Sequence, residues 1–217
     1  YINTVLPAME REFALIPALG GAEAAHRHRL QGDRFIEDKI QRWTKSSDQS
    51  LLVHVLNAIL TAWNLLRFLD SEKQLSDDEK RLLCLGLTLH DYNKYCQGEE
   101  EDSPKAYEVQ EILQLCQGLG EKLNFSAFWP EWQEHLSDIS FLAQNTQYKV
   151  SNNPPPSNWP TFKLSDSRRL KHPLRPLLAF GDIAVHMSDP SEITGKRGDR
   201  LREHLRSLQI DRQLVYH

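Results

Sequence analysis

Three stretches of the chain are oilier than a surface helix requires, and each holds groups for which an oily interior has no use. The first is Leu51-Leu-Val-His-Val-Leu-Asn-Ala-Ile-Leu60, with His54 inside it. The second is leucine-rich over residues 82–89 and runs into the adjacent pair His90-Asp91, with Lys94 one turn further on. The third is Pro173-Leu-Arg-Pro-Leu-Leu-Ala-Phe-Gly-Asp-Ile-Ala-Val-His186, with Asp182 in its middle and His186 at i+4 on the same helical face. Burying an ionisable group without a partner costs several kcal/mol. Buried helices that carry such groups and pack together therefore point to a site.

The rest of the chain reads as helices and loops around these three. Residues 1–19 read as a helix interrupted by Pro7 and Pro17, with Val5, Leu6, Met9 and Phe13 on one face. His26 and His28 lie in a basic, irregular stretch, and a short helix follows over 35–43. Ser47-Asp-Gln-Ser50 supplies N-cap chemistry for the first key helix, 51–69. That helix is apolar on almost every side and is expected to be central; its polar exceptions His54, Asn57, Thr61 and Asn64 form one narrow stripe. Ser76-Asp-Asp-Glu79 is a capping box that starts the second, running to about Tyr95. An acidic run over 99–102 reads as a solvated turn. An amphipathic helix is predicted over 105–117, closed by Gly118 and Gly120, and Pro130 opens another over 131–146 that carries His135. Residues 152–160, with four prolines, read as a surface loop, and a basic helix spans about 197–208. No β alternation is evident. The expected fold is all-α, a helical bundle with a proline-rich surface loop, in a single domain over 1–217.

Composition narrows the class. With 40% hydrophobic and 26% charged residues, the chain fits a water-soluble globular protein. No run approaches the roughly 18 apolar residues of a membrane span, so no membrane partner is expected. Cys84, Cys96 and Cys116 are odd in number and lack CxxC spacing, which favours a reduced, cytoplasmic setting over a disulfide framework. The net charge of −4 is uneven: from Lys163 onward there are 11 Lys/Arg against 7 Asp/Glu, while the first 162 residues hold 15 and 23. A basic last quarter is compatible with a polyanion partner and equally with solvated helix faces.

His54, His90, Asp91 and Asp182 together make a set of imidazole and carboxylate donors that suits Mn, Fe, Co, Ni, Zn or Mg. An ion so held lowers the pKa of bound water and polarises a phosphoryl oxygen. Adjacent residues such as His90 and Asp91 do not share a helical face, so they converge only where the helix ends and the backbone turns.

At these residues the chain resembles the HD superfamily of metal-dependent phosphohydrolases. That pattern is a His on one helix, His-Asp on the next and a distant Asp on a later one, matched here by His54, His90-Asp91 and Asp182. His90-Asp-Tyr-Asn-Lys94 is similar to the family's extended motif, which implies a phosphate contact for Lys94 and a catalytic role for Asp91. A narrower resemblance runs over residues 52–58, 87–95, 141–147 and 174–190, to the N-terminal HD nuclease domain of the large subunit of type I-D CRISPR effector complexes. It implies a metal-dependent nuclease that cuts single-stranded DNA during CRISPR interference, working with effector subunits, guide RNA and a separate helicase. It also implies that these 217 residues are the front of a longer subunit.

The chain departs from the related helicase-nucleases, whose further histidines complete a second metal site. Here the stretch between His-Asp and the proline-rich loop holds only His135, and the later position reads Gln144-Asn145. His135, Asn145 and His186 are the candidates for an additional ligand or for a residue supporting the ligands. Arg168, Arg169 and Lys171 are candidates for contacts with the DNA backbone, whereas His172 and His204, in basic segments, read as solvated. Two other readings fit the same residues. One is an HD phosphohydrolase of small nucleotides; the other is a docking module with a structural metal.

Overall fold

The computed structural model describes residues 1–19, 49–69, 74–96, 109–144, 174–187 and 190–208. Within them the chain is mostly helical, as expected. The predicted helix over 35–43, the stretch with His26 and His28, the acidic run and the proline-rich loop lie outside the described residues.

Helix α1 spans Val5–Phe13 and buries Val5, Ala8, Met9 and Phe13. Pro7 does not interrupt it, which corrects the sequence expectation. Pro7 lies in the first turn, where a backbone N–H would have no intrahelical acceptor to lose. Pro17 begins a short strand, β1 (Pro17–Leu19), antiparallel to β2 (Gln49–Ser50).

Helix α2 spans Leu51–Leu66, and Ser50 caps it by accepting a hydrogen bond from the Val53 N–H. Leu51, His54, Val55, Ala58, Ile59 and Ala62 are buried, whereas Val53, Leu60 and Trp63 are exposed. The expectation of a helix buried on nearly every side is thus corrected. The polar stripe divides in the same way: His54 faces the interior, but Asn57 and Asn64 face outward.

Helix α3 (Asp77–Leu89) is the centre of the bundle. The Ser76–Glu79 capping box forms in both directions, with the Ser76 N–H donating to Glu79 Oε2 at 2.9 Å and the Glu79 N–H to Ser76 Oγ at 3.3 Å. Every residue from 82 to 89 is buried, so the helix is covered on all sides. The expectation of one helix running to about Tyr95 is corrected: α3 ends at Leu89, and a short helix, α4 (Tyr92–Cys96), follows after a break at His90-Asp91.

Helix α5 (Val109–Lys122) continues through both glycines that were expected to end it. A Cβ at Gly120 would stand 2.6 Å from the Trp132 ring, so this glycine permits close packing and does not stop the helix. The chain turns instead at Asn124, whose φ of 59° is the left-handed conformation that asparagine tolerates after a helix. Helix α6 (Phe125–Phe128), a 3₁₀ turn (Trp132–His135) and α7 (Leu136–Gln144) follow. The last elements are α8 (Leu174–Val185), a second 3₁₀ turn (Pro190–Thr194) and α9 (Lys196–Ser207).

In the bundle α3 packs against α7, α8 and α2, and Gly86 meets Leu142 of α7 and Leu178 of α8 on one face. The most extensive helix pair is α2 with α8, and α9 covers the far side of α8. No described helix is long and apolar enough to cross a membrane.

Candidate metal centre

Three features of the chain bring the ionisable groups together. His54 is buried one turn into α2 among Leu51, Val55 and Ala58. Helix α3 ends at Leu89, and the next two side chains, His90 and Asp91, both reach the cluster, with His90 Nε2 3.4 Å from Asp91 Oδ2. Asp182 and His186 lie one turn apart at the end of α8. The α2–α8 crossing then closes the site: a Cβ at Gly181 would stand 2.6 Å from the Ala58 carbonyl oxygen. Gly181 adjoins Asp182, and Ala58 lies one turn from His54.

The donor atoms converge on one place. His54 Nε2 is 3.0 Å from His90 Nε2, 3.1 Å from Asp91 Oδ2 and 3.6 Å from Asp182 Oδ1. His90 Nε2 is 3.4 Å from Asp91 Oδ2 and 3.3 Å from Asp182 Oδ1. His186 Nε2 is also 3.3 Å from Asp182 Oδ1. His90 Nδ1 lies 2.6 Å from the Leu87 carbonyl oxygen. A carbonyl only accepts, so Nδ1 carries a proton and the ring is held with Nε2 toward the cluster. His54, His90, Asp91 and Asp182 are buried, while the side chains of His186 and Lys94 are 26% and 32% exposed and mark the side that opens to solvent. Lys94 Nζ donates to Asp91 Oδ2 at 2.6 Å.

Burial opposes charge on all three central titrating groups, and their neighbours overcome it. Desolvation lowers the pKa of His90, but the carboxylates of Asp91 and Asp182 raise it further, and the balance is about 9 against an ordinary 6.5. Burial pushes the Asp91 carboxyl up, but His90, His54 and Lys94 hold it well below the usual carboxylate range. Asp182 is likewise held well below it, against burial, by His186, His54 and His90. Without an ion, the site is a compact cluster of protonated His90 and two carboxylates.

These donors fit a divalent ion. Ligand atoms about 2.1 Å from one ion stand roughly 3.0 Å apart at a right angle and 3.4 Å apart in a tetrahedron. The observed separations run from 3.0 to 3.6 Å. Asp182 Oδ1 is buried beside three imidazoles and has no partner in hydrogen-bonding geometry. Among the described residues, two overlapping triads meet the spacing that an ion requires: His54, His90 and Asp91, and His54, Asp182 and His186.

Of the further candidates, His186 joins the cluster. His135 belongs to neither triad; its ring stacks on Trp129 with centroids 4.4 Å apart. Asn145, Arg168, Arg169, Lys171 and His172 lie outside the described residues. Two contacts near the site had no signature in sequence. Tyr92, next to Asp91, donates its hydroxyl hydrogen bond to Gln144 Oε1, tying the turn to α7. The close approach at Gly181 is the other. His204, expected to be solvated, is 3% exposed, because α9 packs that face against α8.

No protein-family model matches the chain, and no curated protein matches it.

Proposed function

We propose that the chain is a metal-dependent phosphodiesterase acting on single-stranded DNA, with His54, His90, Asp91 and Asp182 as ligands of a divalent ion. The observation that supports this best is the convergence of four buried donors from three helices, with His54 Nε2 and His90 Nε2 only 3.0 Å apart. Two imidazole nitrogens aimed at each other beside two carboxylates contribute little to packing; around a cation they are complementary.

When bound, such an ion supplies Lewis acidity toward a phosphoryl oxygen and lowers the pKa of water. The chain's own groups do the rest. The Leu87 carbonyl fixes the His90 ring. His186, on the open side, adds a donor or holds Asp182. Lys94 steadies Asp91 and, being about one-third exposed, offers its remaining donors to a phosphate oxygen as charge develops there. Mn, Mg, Co, Ni, Fe and Zn are all compatible with this donor set.

The ordered His, His-Asp, Asp pattern and its resemblance to type I-D CRISPR large subunits support the reading that the substrate is DNA unwound by a separate helicase. The partners in this reading are the effector subunits and guide RNA, in the cytoplasm. The basic last quarter of the chain supports backbone contacts, whose strength falls with salt.

The test is cleavage of labelled circular single-stranded DNA in EDTA, Mg, Mn, Co or Ni, beside Asp91→Ala. Metal-dependent nicking that the variant loses is the expected result. Hydrolysis of deoxynucleoside triphosphates with the circle left intact would overturn the DNA assignment in favour of a nucleotide hydrolase. A metal-loaded, folded protein inert toward both would favour a docking module.

A further inference from the structure

Arg175, in the first turn of α8, is 1% exposed, and none of its three guanidinium nitrogens has a hydrogen-bond partner. Arginine keeps its charge in proteins, so it does not escape burial by losing a proton as lysine does. No ion pair to Arg175 occurs among the described residues. A guanidinium left this way is among the costliest groups a fold can bury.

The opposing helix adds a second unmet polar group in place of a compensating acid. Arg197 Nη1 donates to the His186 carbonyl oxygen at 2.6 Å and pins the start of α9 to the end of α8. The two helices pack along each other from that contact, and His204, seven residues along α9, comes close enough to Arg175 for the guanidinium charge to act on it. His204 is 3% exposed, and its Nδ1 also lacks a partner. Burial lowers its pKa, and the charges of Arg175 and Arg200 lower it further against the opposing effect of Glu203. The α8–α9 contact thus buries a guanidinium charge and an unpartnered imidazole nitrogen.

We propose that Arg175 and His204 form a binding site for a phosphate-type oxyanion between α8 and α9, separate from the metal centre. A planar carboxylate matches the guanidinium fork but leaves the His204 nitrogen unmet. A tetrahedral oxyanion has oxygens for both. Arg175 precedes Asp182 by seven residues, two turns or about 10 Å along α8, so an anion there lies outside the ligand cluster. The chemistry is shared by free inorganic phosphate and by a phosphodiester of a bound strand.

The experiment is thermal unfolding of the whole chain in EDTA, at constant ionic strength, with chloride, inorganic phosphate or a short single-stranded oligonucleotide without terminal phosphates. Wild type is compared with Arg175→Met and His204→Gln. The expected result is a saturable rise in Tm with phosphate, about 3–6 °C at tenfold excess over Kd for a chain of this size. Arg175→Met abolishes the rise and His204→Gln weakens it. A rise with the oligonucleotide alone, lost in Arg175→Met, assigns the anion to a strand. If Arg175→Met does not fold, His204→Gln with phosphorus-31 NMR line widths on the wild type carries the test. No phosphate- or strand-specific shift in the wild type overturns the site. So does a shift that both variants keep.

Discussion

A β-carbon on Gly181 would lie 2.6 Å from the carbonyl oxygen of Ala58, so α2 and α8 touch backbone to side-chain position where the ligands meet. Gly181→Ala adds helix propensity worth about 1 kcal/mol. The obstructing atom is backbone, however, and moves only if α2 moves. The net effect expected is destabilisation by roughly 1–3 kcal/mol in denaturant unfolding. Metal affinity should fall with it, because the same displacement separates His54 from Asp182. Unchanged affinity in a folded Gly181→Ala protein would show that the crossing does not set the site.

The cluster also predicts an order among its members. Asp91 is buried and contacts His54, His90 and Lys94, whereas His186 stands at the open side. Asp91→Ala is expected to abolish metal-dependent cleavage and stoichiometric metal binding. His186→Ala is expected to lower metal affinity by about 10–100-fold while leaving the protein folded. Equilibrium dialysis with elemental analysis reads both, and equal losses in the two variants would contradict the ordering.

Metal binding should depend on pH through His90. Its pKa in the ion-free fold is raised from 6.5 to about 9, so at neutral pH an incoming ion displaces its proton. Apparent affinity is expected to rise about tenfold per pH unit toward 9 and then to level off. The ion-free protein has the opposite trend. A raised folded-state pKa contributes stability that is fully present below pH 6.5 and is lost as pH climbs through 9. Calorimetry in buffers of different ionisation enthalpy counts the proton released, and its absence at pH 7 would refute the assignment of His90.

Removing the ion should silence the protein without unfolding it. The apolar core extends well beyond the cluster, and protonated His90 offsets the carboxylates when no ion is present. Added metal at 100 Kd is expected to contribute about 2.7 kcal/mol, seen as a raised Tm. Helical circular dichroism should survive EDTA while cleavage disappears, and readdition of metal should restore it. Collapse of the helical signal in EDTA would mean that the ion is structural.

What could be read in advance followed from local chemistry. The Ser76–Glu79 capping box was legible because both partners lie within one helical turn. The ionisable pair His90-Asp91 on a buried apolar helix was legible, but the break there was not: the apolar pattern carries on to Tyr95, whereas the helix ends at Leu89. Pro7 was misread because a proline early in a helix and one that breaks it look alike until the first turn is located. Gly120 was misread for a related reason: a glycine that ends a helix and one that admits a tryptophan ring have the same signature.

The sequence by itself determined the all-α character and the residues able to bind an ion, because periodicity and side-chain chemistry are properties of single segments. Only the tertiary structure decided that His54, His90 and Asp91, and His54, Asp182 and His186, meet at ion-binding spacing while His135 stacks on Trp129 instead. It also decided that Arg175 and His204 are buried without partners. The physical reason is that such encounters depend on where helices cross. That is set by distant contacts such as Gly181 on Ala58, whose energy appears only after the two helices have packed.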